Sequence, residues 1–167
     1  MLALKYATLA PKSLDRIVAG GAAASFAYSQ DEESVYNRQN PNFKRIIEIM
    51  DLLNDEKTPI DIRQSLSYEW ALMSYYSEEN LKESLKTPNS GKTVGPRLDY
   101  FRKVEISSYD VRHELKNVHI PAYIYAGKFD TQCPYRYGEE IAQLLPNSTF
   151  VSFDKSNHFP YSEEAEK

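Results

Sequence analysis

Apolar residues recur along this chain in two rhythms, and the change between them divides it into three stretches. Leu2, Tyr6 and Leu9 fall on one face at spacings of three and four, with alanines in the gaps, which predicts a helix closed by Pro11. Leu14 to Gly21 then reads as a turn and a short buried strand. From Ser25 to Leu115 the rhythm is helical and charges are denser. Asn40 and Pro41 are expected to open a helix with Phe43, Ile46, Ile47, Met50 and Leu53 on its apolar face. Thr58-Pro59 opens a second, with Ile62, Leu66, Trp70 and Met73 in line, and Ser77 a third, with Leu81 and Leu85 one turn apart. Residues 87–96 form a Pro/Gly/Ser loop. A short helix over 108–116, with Val111 and Leu115 inward, leads back to strand rhythm.

That rhythm starts at Ile120. Pro121 to Ala126 is a mostly apolar run broken by Gly127, so Lys128 to Asp130 sit on the loop after a buried strand. Pro134 suits a helix first turn, and Tyr137, Ile141, Leu144 and Leu145 give that helix its stripe. Ser148 to Phe153 forms the next strand, followed by a loop carrying His158. Parallel strands joined by a helix bring both loops, and with them Asp130 and His158, to one sheet edge.

The run Ile-Pro-Ala-Tyr-Ile-Tyr-Ala-Gly-x-x-Asp, with Asn-His-Phe following the Asp, resembles the C-terminal part of α/β-hydrolases. It is most similar to the cap-bearing branch that includes proline iminopeptidases and related esterases. The resemblance implies an α/β fold in which an acid follows the seventh strand and a histidine the eighth, in the chain order Ser, Asp, His. Asp130 and His158 match the last two. The Gly-x-Ser-x-Gly elbow that carries the nucleophile occurs nowhere in the sequence and is expected upstream of Met1. The implied organisation is hydrolase core over 1–24, helical cap over 25–115, and core again over 116–167, with about three parallel strands.

A length of 167 residues allows one domain with a sizeable core. A net charge of −4 gives no reason to expect nucleic acid or an anionic membrane as partner. No apolar run reaches a membrane-spanning length, the start has no signal-peptide pattern, and a cytoplasmic setting fits. The single cysteine, Cys133, excludes an internal disulfide and a cysteine-cluster zinc site. No cofactor is implied. The expected partners are a small-molecule or short-peptide substrate, and either the missing N-terminal half or a second chain along an open sheet edge.

For the chemistry, the near-neutral pKa of an ordinary histidine suits His158 to move a serine proton, with Asp130 orienting the ring. Asp154 lies only four residues before His158 and reads as a turn residue. His113 and His119 read as structural, and Cys133 as a small buried residue rather than a nucleophile, because it stands at no strand-to-helix elbow. In the cap, Glu69, Trp70 and Tyr75 are the substrate-binding candidates. Glu69, Glu78 and Glu79 are acids that could meet a substrate amine, although a solvated helix face is the better explanation of them. Two functions remain open. One is part of a serine hydrolase acting on an ester or amide, and the other is an inactive fragment or assembly module.

Overall fold

Strands β1 (Ile17–Gly20), β2 (Ala122–Gly127) and β3 (Ser148–Phe153) form a parallel sheet in that order. The register sets Ile17 opposite Ala122 and Ala122 opposite Ser148. This is a computed structural model describing residues 1–87 and 100–167. The α-helices with described bounds are α1 (Leu2–Leu9), α2 (Phe43–Asn54), α3 (Ile60–Leu72), α4 (Glu78–Ser84), α5 (Arg112–Leu115), α6 (Tyr135–Leu144) and α7 (Pro160–Glu163), and a π-helical turn spans Phe101–Glu105.

One face of the sheet is covered. Ile17, Ala19, Ala122 and Ile124 meet Leu4 and Ala7 of α1, Val111, Leu115, Ile141 of α6, and Leu145 in a single buried cluster. Leu4, Leu115 and Ile141 have no exposed surface, and each such burial stabilises the fold by roughly 1.5–3 kcal/mol. The face of α1 that packs is therefore Leu4 and Ala7. The expected stripe of Leu2, Tyr6 and Leu9 is 67%, 50% and 70% exposed. A small alanine at position 7 is what lets the helix lie close to β1.

The other face is partly open. Val18 and Tyr123, paired in register, are 59% and 48% exposed. β1 is also an edge strand. Ile17 N donates to Pro121 O at 2.8 Å, so Ile17 and Ala19 turn their backbone groups to β2 while Val18 and Gly20 turn theirs outward.

Between β1 and β2 the described residues carry helices and irregular turns. The insertion leaves and returns at one point. Ser25 and Asp110 form an isolated bridge, Phe26 N donates to Tyr109 O at 2.8 Å, and Val111 N donates to Ala24 O at 2.8 Å. Helices α2 and α3 pack side by side and share a forked ion pair, Arg45 to Glu69 at 2.7 and 2.6 Å. Ser77 caps α4 by accepting from Asn80 N at 3.1 Å.

Two boundaries differ from the sequence expectation. Helix α2 starts at Phe43 because the Asn40 side chain accepts from Asn42 N at 2.9 Å and holds a turn there instead of capping a helix. Helix α5 is only Arg112–Leu115, because Tyr109 is extended and the Asp110 carboxylate accepts from Arg112 N at 3.0 Å, which starts the helix later. From residue 88 onward the expected 87–96 loop lies outside the described residues. Among those described, no helix is long and apolar enough to cross a membrane.

Candidate active site

The site grows from the carboxyl ends of β2 and β3. Gly127 closes β2 in contact with the β3 loop, where a Cβ would lie 2.2 Å from Asn157 O and 2.4 Å from Ser156 O. The two loops then run alongside each other, with Lys128 N donating to Phe153 O at 2.9 Å and Phe129 N to Ser156 O at 3.0 Å. This close approach brings Asp130 level with His158.

Asp130 has a fully buried side chain. Its Oδ1 accepts from the backbone of Gln132 at 2.9 Å and Cys133 at 2.8 Å, which fixes the carboxylate ahead of α6. Nδ1 of His158 lies 2.9 Å from Oδ2 and 3.1 Å from Oδ1. A carboxylate accepts only, so Nδ1 carries the proton and the opposite ring nitrogen, Nε2, is left for another partner. Gly21 rests against the ring: its φ is +53°, and a Cβ there would lie 2.7 Å from His158 Cε1. The parallel crossover thus puts acid and histidine in hydrogen-bond contact, as their positions after consecutive strands implied.

The other candidates separate on geometry. Glu69 gives both carboxylate oxygens to Arg45, and these hydrogen bonds hold its pKa below the ordinary carboxylate range. Glu78 is likewise engaged, by Lys82 at 2.8 Å and the Tyr68 hydroxyl at 3.0 Å. Trp70 packs tilted against Tyr36 with ring centres 6.3 Å apart, and the Tyr36 hydroxyl donates to Gln132 Oε1 at 2.8 Å, two residues past the acid. Tyr75 holds its ring 5.0 Å from that of Phe159, which itself stands 5.3 Å from the His158 ring. His113 is exposed on α5, and His119 precedes β2 at the end of the sheet opposite Asp130. Burial, reinforced by the nearby Asp130, pushes the Cys133 thiol well above its usual pKa, so it offers no thiolate. Among the described residues no group of three His, Cys, Asp or Glu side chains could hold a metal ion.

Sequence reading missed the residues that frame the pair: Gly21, Ser74, Thr131, Gln132 and Asn157. Only Asn157 left a trace, as the buried polar neighbour of the histidine in the Asn-His-Phe run.

No family model matches the chain. A solved structure of an alpha/beta fold family hydrolase from Bacillus anthracis str. Sterne superposes on 99% of the chain with a TM-score of 0.96 and 56% sequence identity. The chain has the fold of the C-terminal part of an α/β-hydrolase. It spans 59% of the length of that hydrolase. Two curated relatives match shorter stretches. The proline iminopeptidase of Heyndrickxia coagulans is 36% identical over 62 residues, 37% of this chain and 21% of its own length. The pimeloyl-[acyl-carrier protein] methyl ester esterase of Vibrio cholerae is 31% identical over 61 residues, 36% of this chain and 24% of its own. A chain of this fold therefore carries a buried Asp and a facing His at one sheet edge, with helical elements packed beside them.

Proposed function

We propose that this chain supplies the acid and base of a serine hydrolase that cleaves an ester or amide through an acyl-enzyme. The observation that carries the reading is the 2.9 Å contact between His158 Nδ1 and the fully buried Asp130 carboxylate. With Nδ1–H held, Nε2 takes the proton of a serine hydroxyl as its oxygen bonds to the carbonyl carbon. The same proton passes to the leaving oxygen or nitrogen as that bond breaks, and water repeats the sequence to release the acid. Asp130 fixes the tautomer and stabilises the imidazolium that forms in between.

The serine would come from a segment bearing a Gly-x-Ser-x-Gly elbow, seated along β1, where Val18 and Gly20 offer their backbone groups. An ester substrate suits the cap better than an N-terminal amine, since two of its three candidate acids, Glu69 and Glu78, are already engaged by Arg45 and Lys82. A cytoplasmic setting suits the lone unpaired cysteine.

A fluorophosphonate probe tests the reading. These 167 residues alone should take no label, whereas their assembly with an elbow-bearing segment should label on the elbow serine. Labelling of the isolated chain, or none in the assembly, would sink it.

An open edge also predicts behaviour in solution. Without a strand on β1 the chain should self-associate through that edge and the exposed Val18–Tyr123 face. Val18→Lys should shift size-exclusion profiles toward monomer, because a charge on an edge strand opposes pairing. A wild-type chain that elutes as a monomer at every concentration contradicts this.

A further inference from the structure

A helix ends with backbone carbonyls that have no partner within the helix. At the end of α3 the two loops bearing Asp130 and His158 take up that role. Met73 O accepts from Thr131 Oγ1 at 2.8 Å and from Asn157 Nδ2 at 3.3 Å. Ser74 O accepts from the backbone N of His158 itself at 3.1 Å. Tyr75 O accepts from Asn157 Nδ2 at 3.4 Å. The turn contains no glycine and no residue of positive φ, so it lacks the usual left-handed cap and depends on these donors.

Asn157 is the residue common to all three segments. Its Oδ1 accepts from Thr131 N at 3.0 Å, which holds the loop immediately after the acid. Its Nδ2 reaches the α3 turn, and its own backbone leads directly into His158. It is 5% exposed, and both ends of its amide are satisfied. Only an amide does this from one short side chain, since an aspartate at 157 could accept but not donate. A parallel contact, Gln132 Nε2 to Ser74 Oγ at 2.9 Å, ties the acid loop to the same turn from the other side.

We infer that Asn157 is a positioning residue for the Asp130–His158 pair, locking acid loop, histidine loop and α3 turn into one unit. The inference rests on the reading of that pair as a hydrolase dyad. Asn157 touches no reacting atom. It acts by keeping the His158 ring where Nδ1–H meets Asp130, and so makes the helical insertion a fixed wall of the site.

The test is long-range proton–nitrogen NMR of the His158 ring in the purified protein, alone or in its native assembly. Wild type should show a single Nδ1–H tautomer with slow exchange of that proton. Asn157→Ala and Asn157→Asp should mix the tautomers and speed the exchange about tenfold, the factor produced by losing one buried hydrogen bond of ordinary strength. Thr131→Val, nearly isosteric and missing only the hydroxyl contacts to Met73 O and Asn157 Oδ1, should move both readouts the same way but less, and covers the case in which Asn157 variants do not fold. Asn157 variants with wild-type circular dichroism, an unchanged tautomer and unchanged exchange would overturn the inference. A His158 signal indifferent to Asp130→Asn would instead overturn the dyad reading, whatever Asn157 does.

Discussion

On the proposed reading, replacing His158 with alanine in an assembly that carries the elbow serine is expected to lower turnover of a p-nitrophenyl ester by about a millionfold. The size follows from the role. Serine and histidine act as a unit, so removing the base alone costs nearly as much as removing the whole constellation. Asp130→Asn should cost less, about ten-thousandfold, because the ring remains but its tautomer is no longer enforced. The present geometry ties that loss to one bond, Nδ1 to Asp130 at 2.9 Å. His113→Ala should leave turnover nearly unchanged, since that side chain is exposed on α5. Burst kinetics and probe labelling separate the outcomes. A His158→Ala enzyme that still labels at the wild-type rate would show that another group activates the serine.

The pair itself was legible from the sequence because it depends on topology. An apolar run ended by a glycine, a helix and a second strand already place two loops on one side of a sheet. What surrounds the pair was not legible, for a physical reason. Thr131, Gln132 and Asn157 work through hydrogen bonds to Met73, Ser74 and Tyr75, more than fifty residues away in sequence. No local period encodes a contact of that kind. The same applies to Glu69: it reads as an exposed acid free to meet an amine until the fold places Arg45 of the neighbouring helix on both its oxygens. The apolar stripe of α1 misled for a different reason. Leu2, Tyr6 and Leu9 do share a face, but the sheet lies against Leu4 and Ala7, and the period alone does not show which of two apolar faces finds a partner.

Gly127→Ala is expected to destabilise the fold strongly. Its Cβ would lie 2.2 Å from Asn157 O and 2.4 Å from Ser156 O, and both obstacles are backbone atoms that no rotamer change can move aside. The loop leading to His158 would have to retreat from β2. It would then lose the bonds that align it, Lys128 N to Phe153 O and Phe129 N to Ser156 O. Overpacking of this sort costs roughly 3 kcal/mol or more when the neighbours cannot relax. Gly138→Ala in α6 is the informative contrast. There the nearest contact, Ala126 Cβ at 2.9 Å, is also fixed to its backbone but lies farther off, and the Phe150 ring at 3.3 Å can yield. The clash is milder, and replacing a helical glycine returns about 1 kcal/mol of helix propensity. Urea unfolding should therefore show a large drop in midpoint for Gly127→Ala and a smaller one for Gly138→Ala. The His158 ring resonance should report the same ordering, with the Nδ1–H signal lost in the first variant and kept in the second. Equal midpoints for Gly127→Ala and wild type would mean that the two loops do not close on each other, and the contact that brings Asp130 to His158 would have to be sought elsewhere.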